Sequence, residues 1–189
     1  MCQSNLEVLT SKFRVIVPLS VIALFTFASA IRAENQKWVE VGVRFGFAEV
    51  VEGEDFNQLE IAAAYRLPWT RKLDKGWTLE SRINASAGAL HHDGGDTAAI
   101  VTIGPGLAWI SPSQQYTIEA GISPTLVSKH EFGEADFGGN FQFTSFIGSS
   151  SRLGERTTAT FRVQHMSNAS IYNHNPGLNH IMLGINYRL

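Results

Sequence analysis

His165 and Ser167, separated by a single residue, are the pair in this chain best suited to chemistry. On a β-strand, residues two apart point the same way with backbones about 6.6 Å apart, close enough for an imidazole and a hydroxyl to approach hydrogen-bonding distance. A base beside a hydroxyl can activate it as a nucleophile toward an ester. The pair continues a column of same-parity residues, Ala159, Phe161 and Val163, so two polar groups end an otherwise apolar face. A His-x-Ser at a strand end is by itself more often an interfacial polar pair than a catalytic one. The element that carries it must decide.

From Trp38 onward there is no helical period of apolar residues but repeated two-residue alternation, broken by clusters of Gly, Pro, Asp and Asn. Eight segments emerge: 38–47, 58–67, 77–90, 97–110, 116–127, 140–149, 157–168 and 179–189. In the first, Val39, Val41, Val43, Phe45 and Phe47 share one face, with Glu40, Gly42, Arg44 and Gly46 on the other. Glu60, Glu80, Arg82, Glu119 and Arg162 likewise fall opposite the apolar residues of their strands, together with many Gly and Ala. A soluble sheet would also alternate. Small residues beside paired charges suit the tight lumen of a small barrel instead, and strands of about 10 residues can cross a bilayer at a tilt. The expected fold is therefore all-β, an eight-stranded antiparallel transmembrane β-barrel over residues 34–189, its lumen Arg residues neutralising Glu40, Glu60, Glu80 and Glu119. An even strand number puts both chain ends in the periplasm, with 48–57, 91–96, 128–139 and 169–178 outside. Trp38, Trp69, Trp77, Trp109, Tyr116 and Tyr187 then gather near the periplasmic strand ends as an interfacial girdle.

Residues 1–33 read as a secretory signal peptide. Lys12 and Arg14 precede an apolar run from Val15 to Phe27, and cleavage is expected after Ala30 or Ala33. The lone cysteine, Cys2, precedes that run, so no disulfide is expected in the barrel. The 15 basic and 17 acidic side chains give a formal net charge of −2, without the basic face of a nucleic-acid binder.

The stretch His165-Met166-Ser167-Asn168-Ala169, followed by Asn175-Pro176-Gly177, resembles the C-terminal active-site segment of the lipid A 3-O-deacylase (PagL) family. The motif covers roughly 25 residues, and the signal peptide with eight strands extends an architectural similarity along the chain. The resemblance implies a bacterial outer-membrane hydrolase removing an acyl chain from lipopolysaccharide in the outer leaflet. It further implies His165 as general base, Ser167 as nucleophile, and Asn168 and Asn175 as residues shaping the oxyanion or substrate site. The family's third catalytic member is a Glu fourteen residues beyond the His, a position occupied here by Asn179. By parity Asn179 faces outward and can orient His165, but it cannot supply a negative charge. An Asp-to-Asn change in a serine-protease triad costs about 10⁴ in rate. His174, in a loop, and His180, of inward parity, are the other nearby bases.

The expected partners are lipid A or lipopolysaccharide, outer-membrane lipids and a second copy of the chain as a homodimer, with no cofactor and no metal. His91, His92, Asp93 and Asp96 are metal-capable, yet Gly94 and Gly95 make a turn the simpler account. Glu52, Glu54 and Asp55 form an acidic loop that suits either solvation or divalent cations. The alternative function is a noncatalytic structural or adhesive small barrel. A pore conflicts with a lumen filled by side chains, and a lipocalin-like carrier would need the opposite alternation.

Overall fold

The computed structural model describes residues 37–48 and 54–189. The expected signal peptide, residues 1–33, and Glu52 lie outside the described residues. The chain runs through β1 (Trp38–Ala48), β2 (Phe56–Lys72), β3 (Thr78–His92), β4 (Thr97–Ile110), β5 (Tyr116–Val127), the two-residue strands β6 (Glu131–Phe132) and β7 (Ala135–Asp136), β8 (Phe141–Arg152), β9 (Thr157–Ser167) and β10 (Leu178–Arg188). Eight of these form a closed antiparallel barrel in the order β1-β10-β9-β8-β5-β4-β3-β2, so the expected strand number and closure are found. β6 and β7 form a separate hairpin above one mouth.

The alternation maps onto the barrel as expected. Ile61, Ile103, Val163 and Leu183 on the exterior are each between 42% and 58% exposed, whereas Arg44, Glu60, Arg82, Glu119 and Arg162 are buried in the lumen. An exterior of exposed Ile, Leu, Val and Phe around a charged interior is stable in lipid, where closure leaves no strand edge unpaired. Trp38 packs edge-on against Tyr65 at the end of the barrel that carries the short turns.

Packing at the two ends departs from simple alternation. β2 continues through Pro68 to Lys72, five residues past the expected end, because the ladder skips from Arg66↔Arg82 to Thr70↔Glu80. This bulge accommodates Pro68, which has no amide hydrogen to give the ladder, and Ser81 Oγ donates to the Trp69 carbonyl at 3.0 Å. At the opposite mouth the inward column turns apolar: Phe56, Leu90, Ile100, Val127, Met166 and Leu178 are buried beneath Phe132 and Phe137 of the β6–β7 segment. Phe56, Phe132 and Phe137 stack with ring centroids 5.4 to 5.9 Å apart. The outer mouth is thus sealed by an aromatic cap.

Between the ends, charges pair across the lumen. Arg44 Nε lies 2.6 Å from Glu60 Oε1, and Arg162 Nη2 lies 2.6 Å from Glu119 Oε1 while its guanidinium covers the Phe146 ring at 3.7 Å. Gln58 Nε2 and Ser86 Oγ each donate to Glu60 Oε2 at 2.8 Å. Arg66 and Arg82 share Glu80, each at 3.1 Å. Glu40 makes no direct ion pair among the described residues; it lines the periplasmic end of the lumen, opposite Arg188 in the β1–β10 register, and interacts with Arg82, Arg44 and Arg162 at longer range.

Cysteines substituted for Ile61, Val163 or Leu183 in otherwise cysteine-free protein should resist a water-soluble maleimide in lipid vesicles, while one at Gly95 reacts readily. Equal labelling at all four would overturn the lipid-facing assignment. Arg162→Met should destabilise the barrel by about 3 to 5 kcal/mol, because Glu119 is left buried and unpaired. Arg66→Met should cost much less, since that side chain is 43% exposed. Urea unfolding followed by tryptophan fluorescence distinguishes the two.

Candidate active site

The β9–β10 register places His165 directly opposite Asn179. Both side chains are exposed on the outer face, in line with Val163 and Ile181. His165 Nδ1 and Asn179 Oδ1 are 2.8 Å apart, and since a carboxamide oxygen only accepts, Nδ1–H is the donor. With Nδ1–H so engaged, the basic lone pair of the ring falls on Nε2, the nitrogen a general base must keep free. Ser167, the last residue of β9, shares the outward parity of His165 and pairs across the sheet with Phe143 of β8. The described hydrogen bonds include none between the Ser167 hydroxyl and the imidazole.

The residues between these groups hold them in place. Met166 and Leu178 alternate inward into the aromatic cap and are 1% and 0% exposed, so the strands presenting His165, Ser167 and Asn179 are pinned from behind. Gly177 lies beside the imidazole: a Cβ there would come within 2.8 Å of His165 Cε1, and its φ of +71° is one that side-chain-bearing residues rarely adopt. The glycine leaves the room the ring occupies.

Beyond Ser167 the chain turns sharply. Ala169 and Ser170 both have positive φ, 52° and 62°, and Ile171 N–H donates to the Asn168 carbonyl at 3.0 Å. This is a type I′ turn built without glycine, with strain of order 1 kcal/mol per residue. The anchor is Asn168, which is fully buried; its Nδ2 donates to the carbonyls of Phe137 at 2.9 Å and His174 at 2.6 Å. Its backbone N–H donates to Asn175 Oδ1 at 3.0 Å. The Asn168 carboxamide therefore ties the loop to the cap and has no hydrogen left for substrate. Asn175, exposed and with its oxygen occupied by the Asn168 N–H, leaves Nδ2 as a donor at the turn that follows Ser167. Sequence reasoning identified both residues, but the division of labour between them depends on which one the loop buries.

The remaining histidines lie elsewhere. His180 is 1% exposed and points into the lumen, away from the outward site. His174 sits in the loop and supplies its carbonyl to Asn168. His91 and His92 alternate to different partners: His91 Nδ1 meets Thr97 Oγ1 at 2.9 Å, and His92 Nε2 meets Glu54 Oε2 at 2.5 Å. Asp93 accepts from Asn57 and Asp96 pairs with Lys129 at 2.7 Å, so these four residues do not converge on one point. The Glu54 carboxyl is held below its ordinary range by the backbone N–H of Glu134 and then by His92. A convergence the sequence reading missed is His130, Glu131 and Asp136, whose ligand atoms lie within 4.8 Å of one another. Asp136 accepts from His130 at 2.9 Å and from the Gly138 amide at 2.7 Å, which lowers its pKa and accounts for the cluster as hairpin structure.

Comparison with known proteins places this geometry. The family model described as lipid A 3-O-deacylase (PagL) matches residues 57–188. The chain is 36% identical over 75 residues to the lipid A deacylase PagL of Bordetella bronchiseptica, a match spanning 40% of this chain and 42% of that protein, so it covers less than half the relative's length. Among solved structures, the crystal structure of the outer membrane enzyme PagL superposes with a TM-score of 0.69 at 16% identity, covering 79% of this chain and 99% of that one. Neisserial surface protein A, NspA, superposes with a TM-score of 0.50 at 12% identity, covering 80% and 96%. At these identities the superpositions establish the fold alone, while the family model spans most of the barrel, including every residue of the site. The chain belongs to the lipid A 3-O-deacylase (PagL) family, outer-membrane β-barrels of the bacterial envelope.

Proposed function

We propose that this chain is an ester hydrolase that removes the 3-linked acyl chain of lipid A in the outer leaflet, with Ser167 as nucleophile and His165 as base. The observation that carries the reading is the 2.8 Å hydrogen bond from His165 Nδ1 to Asn179 Oδ1 on the lipid-facing surface of the barrel. It orients the imidazole beside an outward serine where an acyl ester of a membrane lipid can lie. Ser167 Oγ attacks the acyl carbonyl carbon as His165 Nε2 takes its proton. The tetrahedral intermediate collapses when the imidazolium returns that proton to the sugar oxygen, which leaves as an alcohol. Water, deprotonated by the same nitrogen, then attacks the acyl-serine and releases the fatty acid.

The developing oxyanion needs donors already in position. Asn175 Nδ2 and the backbone N–H groups of Ala169 and Ser170 are the candidates, and the left-handed conformation of the latter two turns their amides away from strand pairing. Asn168 acts through them as a positioning residue. Asn179 holds the tautomer as a carboxylate would, but stabilises the imidazolium only as a neutral acceptor. The expected penalty is the difference between a neutral and a charge-assisted hydrogen bond, about 1 to 2 kcal/mol or roughly 5- to 30-fold in rate.

Ser167→Ala and His165→Ala should each lower deacylation by about 10⁴-fold or more, with heat-modifiable migration of the barrel unchanged. Mass spectrometry of lipid A, reading loss of one 3-linked acyl chain, is the assay. Asn179→Glu should raise the rate within the range above, and Gly177→Ala should reduce it by displacing the His165 ring. A wild type that removes no acyl chain from any lipid A, with Asn179→Glu equally inert, would leave the noncatalytic barrel as the better account.

A further inference from the structure

At the end of the barrel opposite His165, the lumen opens into a cavity of about 210 Å³ lined by the strand ends and by the β4–β5 turn. Its charge is unbalanced: Arg66, Lys72, Arg82, Arg152 and Arg188 face it against only Glu40 and Glu80. Glu80 is already shared by Arg66 and Arg82, and Arg152 and Arg188 make no ion pair among the described residues. Three buried polar atoms along the same wall, Arg82 Nε, Arg152 Nε and Thr158 Oγ1, have no hydrogen-bond partner. Arg82 and Thr158 are 5% and 7% exposed, so bulk solvent does little to compensate them.

Water could satisfy the free N–H groups but would leave the excess charge of the arginine-lined mouth without a counter-charge. Guanidinium forks match the oxygens of tetrahedral oxyanions, and an excess of three positive charges favours a polyanion over a single carboxylate. The volume lies below the roughly 300 Å³ at which pockets for drug-sized ligands begin, which excludes a whole lipid but admits a headgroup-sized ion. The aromatic cap closes the other mouth, so entry is from the short-turn end, the periplasmic side of a bacterial barrel. We propose that this mouth is an anion-binding site that takes a phosphate or diphosphate group from the periplasm, held by Arg152 and Arg188 with Arg82 and Thr158 beneath. It shares no residue with the acyl-hydrolase site and does not depend on that activity.

Isothermal titration calorimetry of the full barrel in zwitterionic micelles, with inorganic pyrophosphate as the probe, tests the site. Saturable binding is expected. Replacing both Arg152 and Arg188 by Gln should weaken it by about tenfold or more, and replacing both by Lys should restore part of the loss, since charge remains but the fork does not. Thr117→Glu, which places a carboxylate in the same cavity without removing a contact, should also weaken binding and guards against a folding defect in the arginine variants. Adding phosphatidylglycerol to the micelles separates the sources: unchanged affinity points to a soluble anion, and competition points to lipid headgroups reaching the mouth. No saturable binding of pyrophosphate, or binding that neither the Gln pair nor Thr117→Glu alters, would overturn the proposal.

Discussion

The hydrogen bonds between β1 and β10 are the constraint on which the rest of the molecule depends. In hydrocarbon each unpaired backbone amide or carbonyl costs several kcal/mol, so a sheet survives there only when its first and last strands meet. β1 pairs with β2 on one side and β10 on the other, through the Glu40↔Arg188 to Ala48↔His180 register. An eight-stranded ring encloses only enough space for side chains. Lipid takes the apolar parity of every strand, which forces the charged parity into that narrow lumen. There each charge needs a partner within reach, and Arg44 with Glu60 and Arg162 with Glu119 are the result.

The same pleat that sorts charge from lipid builds the candidate active site. Along β9 it sends His165 and Ser167 outward and Met166 inward, and along β10 it sends Asn179 outward and Leu178 inward. Burial of Met166 and Leu178 beneath Phe132 and Phe137 therefore holds the polar groups from the far side of the sheet. Asn168 extends this support beyond the strand by bonding the cap at Phe137 and the loop at His174. A rigid supporting shell lets an exposed, lipid-facing site keep its geometry without a pocket around it.

The two mouths differ in kind. The outer one is closed by packed aromatic rings and bordered by acidic side chains with local partners, including Glu54 with His92 and Asp96 with Lys129. The inner one is polar, open and rich in arginine. This asymmetry follows from loop length: long outer loops can fold back and bury apolar residues, whereas the short periplasmic turns cannot reach across the mouth.

The sequence by itself determined whatever depends on the parity of one strand. Eight alternating segments, the inward placement of Arg44, Glu60 and Arg162, and the outward placement of His165, Ser167 and Asn179 all follow from a side-chain period of two, which is local. The His165-Met166-Ser167-Asn168-Ala169 motif was legible because it is contiguous in the chain and resembles a family segment, whereas parity alone left the pair ambiguous. Tertiary structure decided what depends on register between strands and on loops meeting. Arg162 finds Glu119 across the intervening β8, a pairing set by the stagger of the closed barrel. β2 runs on past Pro68 because a bulge opposite Ser81 absorbs the missing amide. The cap brings Phe132 and Phe137 onto Phe56 and Leu90, residues distant in sequence, and seals the top of the lumen. The bonds that bury the Asn168 carboxamide came only with that cap, because their acceptors, the carbonyls of Phe137 and His174, lie on a distant segment and in the following loop.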